Sequence, residues 1–548
     1  MLRKFRLILA IAVLTALTAF FLDFSGTVPS PFRWLAKIQF LPALAGALDG
    51  FLLSLIIIAV LIFLTLLFGR AYCSFLCPLG ILQDLISHVS ILLPRKKRGG
   101  YRYRSPHNRT RYLFLLVTSV ALFLTHWGFV RLSPLIGLLD PYSDFGRIAT
   151  HIIYPFYVWG NNLVAVVARH FGNFRFYLVA GSVKSVSTMI VAILSLIVIG
   201  IMASRYGRLY CNAICPVGTF LGILSRFSFL RIRIKPENCI GCHLCERACK
   251  GSCINIENKS IDYSRCVVCF DCLSNCKKDA ISFAFSSKPR MTPSDRPTEN
   301  QAAVEFTDLS KRHFLEGAAG LFMAGSLVGL LENASAEEKS KPSQEQTSSG
   351  LPISKNGKVS YKIEHAVSPP GAVSEEHLAA RCTSCHLCIA KCPQKVIKPA
   401  FLDYGLGGMM LPVMKFSTEV FCNYDCTICG DVCPTGAIKP LTLEEKHFIQ
   451  AGHVIFIKEN CVVFTEETNC GACAEHCPTQ AVRMIDYKDN LTIPETREQY
   501  CVGCGACESI CPVEPFKAIH IEGHPVHKQA ELPPQEKKIE VKVDDFGF

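Results

Sequence analysis

Charge is scarce in this 548-residue chain: 19% of residues are charged, 50% are hydrophobic, and the mean hydropathy is +0.29. That balance excludes an ordinary soluble or disordered protein of this length and indicates a membrane protein with soluble appendages. A single small module is also excluded, because about 150 residues per domain gives three or four folded units. The scattered cysteine spacing of a disulfide scaffold is missing as well. The 29 cysteines fall in tight clusters, which points first to metal ligation. A net charge of +12 suggests nucleic acid only when it lies on a soluble surface. Here a basic loop is already required by membrane topology, so no nucleic-acid partner is expected.

Four uncharged apolar stretches approach or reach the roughly 18 to 20 residues of a membrane helix: Leu7 to Leu22, Gly50 to Gly69, Tyr112 to Val130 and Ser185 to Ser204. No A-x-A cleavage site follows the first, so it reads as an anchor rather than a cleaved signal. The N-terminus is basic, and no acidic residue occurs from Arg95 to Arg111, which places both on the cytoplasmic side. A fifth stretch, Ile148 to Ala168, contains Pro155, Gly160, Asn161 and Asn162 and is expected to lie along the outer surface or re-enter.

Gly69-Arg70-Ala71-Tyr72-Cys73 through Cys77-Pro78-Leu79-Gly80 recurs 138 residues later as Gly207-Arg208-Leu209-Tyr210-Cys211 through Cys215-Pro216-Val217-Gly218. Equivalent turns belong on one membrane face, which four spans permit. Cys73, Cys77, Cys211 and Cys215 read as a shared metal or iron-sulfur site, or as redox-active thiols, at the inner membrane edge. The alternative is four small buried residues, with Pro78 and Pro216 opening the next helices.

Beyond the fourth span come Cys239, Cys242, Cys245, Cys249 and Cys266, Cys269, Cys272, Cys276. Each quartet is C-x2-C-x2-C-x3-C, the spacing that gives three thiolates to one 4Fe-4S cluster and the fourth to its neighbour. One cluster then takes Cys239, Cys242, Cys245 and Cys276; the other takes Cys266, Cys269, Cys272 and Cys249. Lys250 and Lys277 stand where a proline often follows, and Cys253 is left as a spare buried thiol.

Four further quartets end in Cys-Pro: Cys382, Cys385, Cys388, Cys392; Cys422, Cys426, Cys429, Cys433; Cys461, Cys470, Cys473, Cys477; and Cys501, Cys504, Cys507, Cys511. The second opens with a three-residue gap and the third with an eight-residue gap. Adjacent and nested pairing of these quartets both satisfy the shared-fourth-cysteine rule. Zinc is disfavoured because zinc ribbons use two separated C-x2-C knuckles. Cys239 to His243 and Cys382 to His386 match C-x-x-C-H for haem, but both lie inside complete ferredoxin quartets, leaving His243 and His386 as surface residues near a cluster.

Ser310-Lys311-Arg312-His313-Phe314-Leu315 and the apolar run Gly317 to Leu331 resemble a twin-arginine export signal, with Lys311 in place of the first arginine. Polar segments on both sides favour an isolated crossing over a packed helix, and Ala334-Ser335-Ala336 offers a cleavage site.

On the duplicated Cys-x3-Cys-Pro motif and the two quartets after it, residues 1 to about 285 resemble the NapH-type membrane ferredoxins, which are related to nitrous-oxide-reduction regulators and cytochrome-oxidase assembly proteins. Residues 310 to about 525, with Lys311, Arg312 and four quartets, resemble the exported four-cluster ferredoxins NapG and MauM. No flavin-attachment domain is evident. The resemblance implies an electron-transfer subunit, and in enzyme terms a quinol dehydrogenase component, between the quinone pool and an extracytoplasmic oxidoreductase or cytochrome. Quinol oxidation releases protons, so His126, Asp140, Asp144 and His151 are outer-face candidates for its site, though all four also suit solvated loops. A redox maturation or metal-reducing assembly factor is the second reading.

The expected fold is α+β. A four-helix membrane domain (1–230) precedes a cytoplasmic 2[4Fe-4S] ferredoxin domain (231–285), a linker with a crossing helix at 314–331 (286–360), an extracytoplasmic 4[4Fe-4S] domain (361–525) and a polar tail (526–548). The cofactors are six 4Fe-4S clusters, with one further membrane metal or iron-sulfur site, and the surroundings are the prokaryotic cytoplasmic membrane.

Overall fold

A computed structural model describes residues 2–22, 31–92, 100–129, 131–179, 183–285 and 359–531. The export-like segment around Lys311 and Arg312, the crossing helix 314–331 and most of the polar tail lie outside the described residues. Two compact units emerge. The first comprises Met1–Phe20, Pro29–Ile152 and Met189–Gly350; the second comprises Phe21–Val28, Ile153–Thr188 and Leu351–Phe548. Residues 153–188, expected within a membrane domain of residues 1–230, therefore group with the C-terminal cysteine-rich region.

Helices form on all four apolar stretches: Leu2–Leu22, Leu52–Phe68, Asn108–His126 and Val186–Tyr206. Among the described residues, only Leu2–Leu22 and Val186–Tyr206 are both long and apolar enough to cross a bilayer; Leu52–Phe68 is apolar but has 17 residues. Their outward faces are apolar, with Ile8 70%, Leu52 72% and Phe63 62% exposed, where a water-soluble helix carries charge. Gly69 ends the second helix at φ +79, a left-handed conformation that glycine adopts without a Cβ penalty. Pro78 and Pro216 each open a helix, Pro78–Leu92 and Pro216–Ser225, because a missing N–H costs nothing in the first turn.

The fifth apolar stretch is a π-helical turn, Ala149–Ile153, followed by the helix Tyr154–His170. Just before it, the short helix Pro141–Ile148 is buried at every residue.

All strands among the described residues belong to five two-stranded antiparallel sheets. In the first unit Leu230–Ile234 pairs with Ile281–Phe285, clasping the first and last segments of the dicluster region, while Ile254–Asn255 pairs with Ser260–Ile261. In the second unit the longest ribbon joins Ile449–Phe456 to Ile519–Gln529, and its core gathers Val367, Ile389, Val454, Ile519 and Ile521 around several cysteines. The mixture of helix and small sheets agrees with the α+β expectation.

Candidate cluster sites and the membrane cysteine core

In the first unit the repeat brings Cys73, Cys77, Cys211 and Cys215 into one buried group, each 3% exposed. Cys215 interacts electrostatically with the other three, and Cys77 with Cys73 and Cys211. The two copies clasp each other through matching arginines. Arg70 donates to the Cys211 carbonyl at 3.0 Å, and Arg208 donates to the Cys73 carbonyl at 2.6 Å. The sequence reading missed these arginines, although the repeat carried them in both copies.

Gly80 and Gly218 hold the clasp tight, because a Cβ on either would sit 2.3 Å from the carbonyl of Cys73 or Cys211 respectively. The symmetry breaks one turn later, where Asp84 in the first copy corresponds to Gly222 in the second. Asp84 accepts hydrogen bonds from Arg208 at 2.6 and 3.0 Å and from Arg6 at 2.6 Å, with Lys250 3.5 Å away. Burial pushes its carboxyl upward, but Arg208, Lys250 and Arg6 hold it well below the usual carboxylate range. Arg70 lacks such an acid and donates instead to Asn212 at 2.7 Å and to the Ser264 carbonyl at 3.0 Å.

Asp140, Asp144 and His151 are buried rather than solvated, at 1%, 2% and 3% exposure. The solvated-loop alternative fails for these three because Pro141–Ile148 folds into the unit. Asp140 caps that helix by accepting from the Ser143 amide and hydroxyl at 2.8 and 2.6 Å. Asp144 pairs with Arg147 at 2.9 Å and accepts from Ser195. Both acids interact electrostatically with Tyr210, whose other partners are Cys215 and Cys211, and Asp140 also reaches Tyr72 beside Cys77. Acids, tyrosines and cysteines therefore adjoin. His126, half-buried at its helix end, packs edge-on against Trp127 with ring centroids 5.1 Å apart.

The dicluster region shows the cross-pairing expected from its spacing. Cys239, Cys242, Cys245 and Cys276 line one cage, and Cys249, Cys266, Cys269 and Cys272 line the other. Cys253 is more than a spare thiol in the core. It lines the second cage with its sulfur 3.5 Å from that of Cys249. Arg70 interacts with Cys266 and Asp84 with Cys269, so the same polar groups border both the four repeat cysteines and this cage. The N-terminus and basic loop reach the same region: Arg3 pairs with Asp271 at 2.9 Å, and the Tyr101 amide donates to Arg247 at 3.0 Å.

In the second unit the pairing is adjacent. Cys382, Cys385 and Cys388 share a cage with Cys433, and Cys461, Cys470 and Cys473 share one with Cys511. Reciprocally, Cys429 faces Cys422, Cys392 and Cys426, while Cys507 faces Cys504, Cys501 and Cys477. The Cys422 amide donates to the Cys504 carbonyl at 2.9 Å and joins the two pairs. The cages therefore follow the order of quartets one, two, four and three.

These cages suit iron-sulfur clusters in their donor chemistry. In the four regular quartets the residue before the second cysteine and the residue after it are left-handed: Gly241 and His243, Val268 and Phe270, Ser384 and His386, Gly503 and Gly505. Alternating conformations of this kind turn successive amides inward as an anion nest. Amides meet sulfur directly from Ser384 to Cys382 at 3.4 Å, Gly503 to Cys501 at 3.4 Å and Ala481 to Cys477 at 3.2 Å. Such bonds stabilise cluster charge and tune potential. Among the described residues no group of three or more His, Cys, Asp or Glu closes round a single metal ion. His386 corrects another expectation: it is buried, 2% exposed, with Nε2 at 3.1 Å from the Met410 carbonyl.

A family model described as a 4Fe-4S binding domain matches residues 51–99 and 187–236, and a 4Fe-4S dicluster domain model matches residues 468–514. The first pair of matches covers both Cys-x3-Cys-Pro copies. An uncharacterized protein of Methanocaldococcus jannaschii is 29% identical over 251 residues, 45% of this chain and 84% of that protein. The methylamine utilization ferredoxin-type protein MauN of Paracoccus denitrificans is 30% identical over 209 residues, 38% of this chain and 54% of MauN. The ferredoxin-type protein NapG of Escherichia coli is 31% identical over 118 residues, 20% of this chain and 47% of NapG. No solved structure matches the chain. The chain thus carries 4Fe-4S domains and is similar to ferredoxin-type proteins over parts of its length.

Proposed function

We propose that this protein passes electrons between the quinol pool and an extracytoplasmic oxidoreductase or cytochrome, as a fusion of NapH-like and NapG- or MauM-like parts. Six 4Fe-4S clusters held by the paired quartets would supply one-electron transfer. The observation that carries the reading is the adjacency, within the first unit, of buried acids, a four-cysteine core and a dicluster region. In this reading the buried Asp140, Asp144 and His151 would take quinol protons, with Arg147 holding Asp144 in place. Tyr72 and Tyr210 interact with both acids and thiols, and Arg70 and Arg208 connect the thiols to the dicluster cage that holds Cys266 and Cys269.

Four spans are proposed on the four helices, with the basic N-terminus, the Arg95–Arg111 loop and the dicluster region cytoplasmic. The contacts of Arg3 and Tyr101 with that region support a common side. The segment 314–331 then carries residues 361–525 to the outer face. The test is iron and acid-labile sulfide on anaerobically purified protein, followed by mixing with a menaquinol analogue. About 24 irons per chain and reduction by quinol are expected; zinc in place of iron overturns the cluster assignment. Full iron without quinol reduction would instead favour the maturation or metal-reducing factor, for which the buried four-cysteine group is the specific observation.

A further inference from the structure

Lys184 and Lys446 of the second unit are buried without a carboxylate partner among the described residues. Lys184 is 9% and Lys446 is 7% exposed. Lys184 donates to the Ile389 carbonyl at 2.6 Å and lies 4.9 Å from the centre of the Tyr154 ring. Lys446 donates to the Asn423 carbonyl. A buried ammonium facing only carbonyls and a ring is costly unless an anion lies near.

Both lysines converge on one cage. Lys184 interacts most strongly with Cys392 and more weakly with Cys388, with Lys395 and Lys398 also near. Lys446 interacts with Cys422 and Cys429, and with Cys504 of the neighbouring cage. Lys446 is the leading electrostatic partner of Cys422, whereas no cation stands among the leading partners of Cys382, Cys461 and Cys473.

The unusual three-residue gap of the second quartet now has a physical account. Asn423, Tyr424 and Asp425 form the widened loop, and the helix Leu443–His447 clamps it. His447 stacks on Tyr424 with ring centroids 3.9 Å apart and meets Asp425 at 2.9 Å, while Lys446 takes the Asn423 carbonyl. A capping box between Thr442 and Glu445 fixes the helix start. The altered spacing thereby seats a cation against the cage.

We propose that Lys184 and Lys446 act as positioning charges that make the cluster held by Cys392, Cys422, Cys426 and Cys429 the most readily reduced of the four in the second unit. Positive charge in a poorly solvated site favours the form with one more electron. The cage lies between those of quartets one and four, so the lysines create an electron-collecting point inside the row. The inference rests on clusters occupying the cages, as proposed above.

The test is an EPR-monitored redox titration of full-length, anaerobically purified protein. Lys184→Met and Lys446→Met should each make one cluster about tenfold harder to reduce, ~59 mV for one electron, with iron content unchanged; Lys→Arg should restore the midpoint. Cys426→Ser should alter the first signal to appear on reduction. Unmoved midpoints at full iron, or a Cys426→Ser effect confined to a later signal, overturn the proposal. If the Met variants lose iron, the Arg variants and Cys426→Ser decide. Failure of quinol to reduce clusters whose midpoints do shift would overturn the proposed function and leave this inference standing.

Discussion

The two units handle buried charge in opposite ways. In the first, Arg208, Arg6 and Lys250 surround Asp84, Arg147 pairs with Asp144, and Arg70 donates to carbonyl and amide oxygens. In the second, Lys184 and Lys446 meet carbonyls, the Tyr154 ring and cage cysteines, and among the described residues no carboxylate. A paired charge fixes geometry but projects little field, whereas an unpaired one acts on whatever anion sits beside it. The first unit thus uses its charge chiefly to hold the repeat together, with Arg70 alone of these groups lying beside a cage without an acid, whereas in the second both lysines lie beside the cages.

Asp84→Asn should break this comparison most severely. It leaves Arg208 and Arg6 buried without their acid, a cost of about 3 to 5 kcal/mol. Thermal unfolding in detergent should show the first unit destabilised while the second retains its iron. Because the folded carboxyl is held below its unfolded value, the stabilisation is present above about pH 4 and fades as pH falls further. Unchanged melting would mean that the arginine clasp does not depend on Asp84.

Cys433→Ser has a narrower expected effect. It should disturb the cluster held with Cys382, Cys385 and Cys388, leaving the one held by Cys422, Cys426 and Cys429 spectroscopically intact. Mössbauer spectra showing the reverse would restore simple within-quartet ligation. The smallest effect should come from Gly218→Ala or Gly80→Ala. The new methyl meets a backbone carbonyl, an overpacking cost of about 1 to 3 kcal/mol. Thiol alkylation should then proceed faster at Cys73 and Cys211; no change in either reactivity or melting would show that the clasp has slack.

What sequence could reveal depended on how local each constraint was. Cluster cysteines were legible because three ligands of one cage lie within a few residues of one another. The dicluster exchange of Cys249 and Cys276 was legible because two quartets allow only one exchange of fourth cysteines. Pairing among four quartets was not, since the spacing rule is satisfied by more than one long-range arrangement. The apolar stretches announced their helices, but Pro141–Ile148 did not announce its burial: Asp140, Asp144 and Arg147 neutralise or cap one another, and only packing distinguishes that from a wet loop. Lys446 was hidden because its partners come from a loop more than twenty residues earlier.

The exchanged fourth cysteine also bears on biosynthesis. The cage begun by Cys382, Cys385 and Cys388 cannot close until Cys433 has left the ribosome, and the one begun by Cys461 awaits Cys511. A nascent chain therefore carries open, three-thiol cages over long stretches of translation. With clusters in these cages, full ligation would wait for whole pairs, and truncated chains ending between quartets would expose unpaired thiols.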